Sequence, residues 1–193
     1  MQYVWLATAW LLFGLLHSAL AATTVKQTIA AAMRNAFPYY RPLYTMFATG
    51  NLVAVLYCHL QIPVRLLMRS SIIEKIAAIV MFIPAVIVLA ATIRKYFMNL
   101  SGIDVLLNRP PVPLQLETTG LHRYMRHPLY SGTLLVVWSI FVWQPSIANL
   151  VSCTCITIYT RIGIYFEEKK LLLEFGEEYK QYRKKVPMLL PRV

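Results

Sequence analysis

The chain has 193 residues, of which 58% are hydrophobic and only 14% charged, and its mean hydropathy is +0.55. A soluble domain carries about 25% charged side chains, so the composition rules out a disordered tail or a disulfide-stapled secreted module and argues against a soluble enzyme. Nineteen Lys and Arg against eight Asp and Glu give +11, an excess that in so apolar a chain reads as cytoplasmic loops and attraction to anionic membrane lipid, with no nucleic acid as partner.

No charged side chain precedes Lys26, so Tyr3 to Ala22 can span a hydrocarbon core that needs about 20 residues. Ser18-Ala19-Leu20-Ala21 has the small residues of a cleavage site, but no Lys or Arg precedes the apolar run as a signal peptide requires, and a retained helix is expected. Val25 to Phe37 reads as a short basic amphipathic stretch ending before Pro38. A second span is expected over Leu43 to Ile62 and a third over Ile72 to Ile93, with Pro84 kinking the third without ending it.

From Arg94 to His127 the composition turns polar and includes the Arg109-Pro110-Pro111-Val112-Pro113 breaker, which predicts a long connector that carries function. The 34 positions between Arg126 and Arg161 hold no Asp, Glu, Lys or Arg and are broken only by Gln144-Pro145-Ser146. A tight helical hairpin with Pro145 at its turn fits that length. A charged helix follows over Glu167 to Lys185.

The expected fold is therefore all-α, a polytopic membrane helix bundle of about five transmembrane helices with a C-terminal helical hairpin and a cytoplasmic amphipathic helix. It is read as a single domain over 1–193, divided into three helices (1–93), connector (94–129), hairpin (130–166) and C-terminal helix and tail (167–193). Basic residues place the tail in the cytoplasm and the N-terminus on the opposite side.

Reactive side chains concentrate in two places. In Thr118 to Gly132 a polar connector enters the membrane, with Arg126 and His127 beside Pro128 at the start of a helix. The first-turn N–H groups, with Arg126, would favour an anionic group. In Arg161 to Glu178, Arg161 and Glu168 are seven residues apart and share a helix face. Glu167 and Glu168 fall where the last span leaves the membrane, and a carboxylate there can hydrogen-bond a ribose diol or attract a cation. Cys58, Cys153 and Cys155 lack partners at metal-ligand spacing and read as packing, so no metal site is expected. His17, mid-span, is either a functional group or a neutral His bonded to a neighbouring helix. Asn51 reads as an interhelical hydrogen bond.

The run Gly120-x5-Arg126-His127-Pro128-x-Tyr130-x-Gly132, followed by Glu167-Glu168, Phe175-Gly176-Glu177-Glu178-Tyr179-x-x-Tyr182 and Val186-Pro187, resembles the isoprenylcysteine carboxyl methyltransferases, the phospholipid methyltransferases and related bacterial membrane methyltransferases. The resemblance covers about Leu114 to Val193. It implies methyl transfer from S-adenosylmethionine at the cytoplasmic membrane face to a small lipophilic or lipid-borne amine, thiol or carboxylate. Carried over by position, Leu114, Gln115, Leu116, Glu117, Gly120, His122, His127, Pro128, Tyr130 and Glu167 would bind the cofactor, and the Arg126-His127-Pro128 turn would receive its carboxylate. Arg126, His127 and Glu168 would be catalytic, with His127 or Glu168 as base, and Arg161 would meet the acceptor.

Three positions depart from the family pattern. His122 stands where a Tyr is usual, and Leu114 where the prenylcysteine enzymes carry His. Their substrate Arg would fall at Gly163, whereas this chain has Arg161, about 200° away around the helix. These departures argue against a prenylcysteine substrate. The alternatives are an NADPH-dependent reductase of the sterol-reductase type, with Arg123 and Arg126 on the 2′-phosphate, and a non-catalytic accessory membrane protein using His17 as a ligand.

Overall fold

The computed structural model describes residues 1–107 and 115–191, without the side chains of 98–100 and 105–106. Its elements are helical: α1 Gln2–Ala21, α2 Thr23–Met33, α3 Tyr40–Leu60, α4 Ile72–Ser101, α5 Ile103–Leu106, α6 Pro128–Trp143 and α7 Ile147–Lys185. One-turn and two-turn 3-10 segments cover Gly120–Arg123 and Arg34–Tyr39. The expected all-α bundle is what forms.

Gln2–Ala21, Thr23–Leu60, Ile72–Phe97 and Ile147–Lys185 are long and apolar enough to cross a membrane. The arm α6 is apolar but has 16 residues, about 24 Å of rise against a hydrocarbon core of about 30 Å. Three expected boundaries shift. The amphipathic stretch ends as an α-helix at Met33, because Arg34 takes φ 47°, and a 3-10 segment then runs through Pro38. The third span continues through Pro84 and past Arg94 to Ser101, since Arg and Lys are good helix formers and nothing breaks the helix before Gly102. The last span and the charged C-terminal helix are one helix of 39 residues, bent at Gly176, where φ is 52°. Of the connector, residues 108–114, which include the Arg109 to Pro113 breaker and Leu114, lie outside the described residues.

The described chain forms two compact units, residues 1–64 with 95–107 and residues 65–94 with 115–191. In the first, α1 packs on α3. Leu6, Trp10 and Gly14 are buried at four-residue spacing, and His17 continues that stripe one turn on. The Tyr44 hydroxyl lies 3.0 Å from His17 Nδ1, and Tyr40 donates to Leu20 O at 2.7 Å. His17 is thus bonded to a neighbouring helix, the simpler of its two readings. Among the described residues Asn51 does not bridge helices: its amide donates to Phe47 O in its own helix.

In the second unit α6 and α7 form the expected hairpin around Gln144-Pro145-Ser146. The Ser146 hydroxyl caps α7 by accepting from Asn149 N at 3.2 Å, and Asn149 Nδ2 donates to Gln144 O at 2.7 Å. Such a cap is worth about 1 kcal/mol. Apolar side chains gain little by leaving lipid for one another, so packing and hydrogen bonds hold the arms together. Trp138 Nε1 donates to Thr157 Oγ1 at 3.1 Å, and the Cys153 thiol meets Val137 O at 3.0 Å. Helix α4 approaches α6 at Gly132, where a Cβ would lie 2.7 Å from Leu89 Cγ and 3.2 Å from Ala85 O. On α7 the buried residues Asn149, Cys153, Thr160, Ile164 and Glu168 fall on one face. The stripe that packs the hairpin thereby delivers a carboxylate to the start of α6.

Candidate active site

Pro128 opens α6 at its first position, where no backbone N–H is needed. His127 precedes it in a non-helical conformation, φ −125° and ψ 66°. The chain reaches this point from Gly120, which takes φ 59° to begin the short 3-10 turn. Tyr182 Oη donates to His122 O at 2.6 Å, and the His122 ring lies 3.1 Å from Arg126 O. The approach to α6 is therefore held from the C-terminal part of α7.

Arg126 is at the centre of the arrangement. Its Nε and Nη2 both donate to Glu168 Oε1, at 2.8 and 2.6 Å, while Nη1 donates to Val186 O at 2.5 Å and Arg183 O at 3.2 Å. His127 Nε2 lies 3.3 Å from the same Glu168 oxygen, and His127 Nδ1 lies 3.8 Å from Glu167 Oε1. Arg126, His127 and Glu168 are all buried, at 8%, 4% and 8% exposure. Glu168 lies beyond the apolar part of α7; burial would raise its carboxyl, but hydrogen bonds and charge from Arg126, then His127, outweigh that and hold it below the usual carboxylate range.

The tail after α7 crosses the same turn. Arg126 N donates to Pro187 O at 2.9 Å, His127 N to Met188 O at 3.1 Å, and Ser131 Oγ to Leu189 O at 2.6 Å. The N–H groups of Arg126 and His127 are thus taken by the tail, and the Arg126 guanidinium by Glu168 and two carbonyls. The sequence reading made this turn the receptor for a ligand carboxylate. The structure gives the Arg126 guanidinium and the two N–H groups just before the helix to tail and carboxylate instead, because an unpaired buried guanidinium or N–H is costly.

Beside this core is a cavity of about 190 Å³. Gln115, Leu116 and Glu117 form one wall, and His122 and Arg126 another. Glu167, Leu171, Glu174 and Phe175 line it from α7, spaced as one helix face. Tyr179 and Tyr182 complete it beyond the bend at Gly176. Glu117 accepts from Thr119 N at 3.0 Å, and Glu174 lies 3.6 Å from Lys170. Three carboxylates on one cavity, with its Arg already neutralised by Glu168, suit a cationic organic ligand.

Tyr179 is 1% exposed, and among the described residues its hydroxyl has no hydrogen-bond partner. Burial first, then the nearby Glu168 charge, pushes the phenol up to about 12. It lies close enough to feel the carboxylate without reaching hydrogen-bond geometry.

Of the residues expected at the site, Gln115, Leu116, Glu117, His122, Arg126 and Glu167 line the cavity. His127, Pro128 and Glu168 lie buried beside it; the Tyr130 ring is 5.7 Å from that of His127. Gly120 shapes the approach and Leu114 lies outside the described residues. Arg161 stands apart, its Nη1 2.8 Å from Met188 Sδ at an exposed position. At Gly163, where prenylcysteine enzymes would carry Arg, a Cβ would lie 3.8 Å from Tyr130 Oη. Ser131 and the carbonyls of Val186 to Leu189 were not assigned roles from sequence; the Val186-Pro187 ending was the only signal of them.

A multi-pass helical bundle with a buried Arg–Glu–His cluster beside a carboxylate-lined cavity defines a membrane protein equipped for chemistry. The family model described as phospholipid methyltransferase matches residues 73–178. Methanethiol S-methyltransferase of Crocosphaera subtropica is 31% identical over 185 residues, covering 93% of this chain and 71% of that protein. The methanethiol S-methyltransferase of Pseudomonas deceptionensis is 30% identical over 185 residues, covering 93% and 69%. Protein-S-isoprenylcysteine O-methyltransferase of Schizosaccharomyces pombe is 35% identical over 82 residues, covering 40% and 34%. No solved structure gave a significant match. The chain belongs to the phospholipid methyltransferase family, and it is an integral membrane methyltransferase.

Proposed function

We propose that this protein transfers a methyl group from S-adenosylmethionine to a small thiol, at the membrane face where α7 leaves the apolar layer. The observation that carries the reading is the cavity bordered by Glu117, Glu167 and Glu174. Relatives aligned over most of the chain and named methanethiol S-methyltransferases favour a thiol over an amine or carboxylate. The clustering of basic residues favours a cytoplasmic tail and an N-terminus on the opposite side.

When bound, S-adenosylmethionine supplies an electrophilic methyl on a cationic sulfur. Glu167 and Glu117 stabilise that charge, and Phe175 and Tyr182 offer aromatic faces to it. Gln115 and Leu116 close the wall against water. A thiol must lose its proton to attack well. His127 accepts that proton at Nδ1, on the Glu167 side, while Nε2–H donates to Glu168; Arg126 keeps Glu168 ionised and in place. Glu168 thus positions the base, its own charge being committed to Arg126.

A reductase would need free cations for a nucleotide phosphate. The cavity instead presents carboxylates and an Arg already bonded on all three nitrogens.

The test is titration calorimetry of the detergent-purified chain with S-adenosylhomocysteine and NADPH, followed by radiolabelled transfer to methanethiol, phosphatidylethanolamine and a prenylcysteine. Saturable S-adenosylhomocysteine binding with transfer to methanethiol is expected. Transfer confined to the amine or the prenylcysteine would overturn the thiol assignment, and binding of NADPH alone would overturn the cofactor.

A further inference from the structure

At the end of α6 remote from Pro128, about 16–22 Å along its axis, lies a second cavity of about 230 Å³. Ala78, Ile79 and Phe82 line it from α4, and Ser139, Ile140 and Trp143 from α6. Its wall is apolar, because the Ser139 hydroxyl turns back to Val136 O at 2.7 Å. Lys75 precedes Ala78, Ile79 and Phe82 by three, four and seven residues and so continues the same α4 face. Its ammonium sits 5.7 Å from the centre of the Trp143 ring.

Two more cations belong to this end. Arg65 and Arg69 are exposed in the loop before α4, and that loop is tied to the hairpin turn. Ile147 N donates to Arg65 O at 3.1 Å, Leu67 N to Pro145 O at 2.8 Å, and Ser70 Oγ to Trp143 O at 2.9 Å. The neighbouring acid, Glu74, accepts from Ser71 N at 2.6 Å to cap α4. Among the described residues, none of Arg65, Arg69 and Lys75 forms an ion pair.

We infer that this groove binds an anionic phospholipid, one acyl chain along the α4–α6 wall and its phosphate at the Lys75, Arg65 and Arg69 end. The groove supplies length and apolarity, and the three uncompensated cations supply the sign of the headgroup. It is a site for bound lipid separate from the reacting centre, which lies at the other end of α6.

The experiment places the full chain in phosphatidylcholine vesicles doped with equal small fractions of brominated phosphatidylglycerol or brominated phosphatidylcholine. Tryptophan quenching is read, with Trp143→Phe isolating the Trp143 component. Brominated phosphatidylglycerol is expected to quench that component preferentially, and the preference to fall roughly fivefold for each of K75Q, R65Q and R69Q. Circular dichroism and gel filtration check that substitution of the exposed Arg65 and Arg69 and the half-buried Lys75 leaves the fold intact. Equal quenching by the two lipids overturns the inference, as does a preference unchanged in the triple variant. Quenching by neither lipid, as when a second copy of the chain covers the groove, also overturns it.

Discussion

Arg126 and Glu168, 42 positions apart in sequence, meet through two charge-assisted hydrogen bonds to one carboxylate oxygen, at 2.8 and 2.6 Å. The pair joins the start of α6 to α7, and the remaining guanidinium nitrogen reaches the carbonyls of Arg183 and Val186. Three pieces of chain depend on one ion pair.

Removing one partner leaves a buried charge uncompensated. Glu168→Ala is expected to destabilise the protein by about 3–5 kcal/mol, and Glu168→Gln by less, since the amide oxygen still accepts from Arg126. Thermal unfolding in detergent orders the three proteins. A Glu168→Ala midpoint equal to wild type would show that the pair holds nothing together.

The same pair has a defined pH dependence. In the folded chain, against the upward push of burial, the Arg126 hydrogen bonds and charge hold the Glu168 carboxyl below its ordinary value. Its contribution to stability is therefore complete above that value and is lost as pH falls through the lower folded one. The gap in unfolding midpoint between wild type and Glu168→Gln should be constant toward neutrality and close in acid. A gap that widens in acid would mean that the folded carboxyl is raised.

Ser131 Oγ holds Leu189 O at 2.6 Å while also meeting His127 O. Ser131→Ala leaves the tail carbonyl without this donor, at a cost of about 0.5–1.5 kcal/mol. Loosening should appear as faster proteolytic trimming of the tail, with helix content unchanged. Equal trimming rates in the two proteins would assign the tail's hold to the backbone bonds alone.

Gly132 admits no larger side chain without movement of Leu89 or the α4 backbone at Ala85. Gly132→Val is expected to cost about 1–3 kcal/mol by overpacking. Pairing it with Leu89→Ala should recover part of the loss, since the flexible side chain is the nearer obstacle; no recovery would place the clash at the Ala85 carbonyl.

Glu167 tests how the cavity meets charge. If it stabilises a sulfonium, Glu167→Gln weakens S-adenosylmethionine by about tenfold and the uncharged S-adenosylhomocysteine far less. Calorimetry with both ligands separates this from a bond to the ribose, which would weaken them equally.

Much of this arrangement could be read from local pattern. The uncharged runs marked the spans, and Gln144-Pro145-Ser146 marked the hairpin turn, because hydrophobicity and proline act within a few residues. Boundaries were harder where helix continued into polar sequence, as from Arg94 to Ser101, since charge does not end a helix. The paired motifs around Arg126-His127-Pro128 and Glu167-Glu168 also located the cavity. They did not reveal that Arg126 is consumed by Glu168 and the tail, nor that Arg161 points to Met188.

The sequence by itself determined the solvent this protein lives in, the order of its helices and the family of its motifs, since each follows from composition or short-range spacing. Only the tertiary structure decided which charges remain available. Arg126, His127 and Glu168 all carry reactive groups, but burial and mutual hydrogen bonding commit Arg126 and Glu168 to each other and orient His127. Partnership in a low-dielectric interior depends on where distant segments meet, and spacing along the chain does not contain that information.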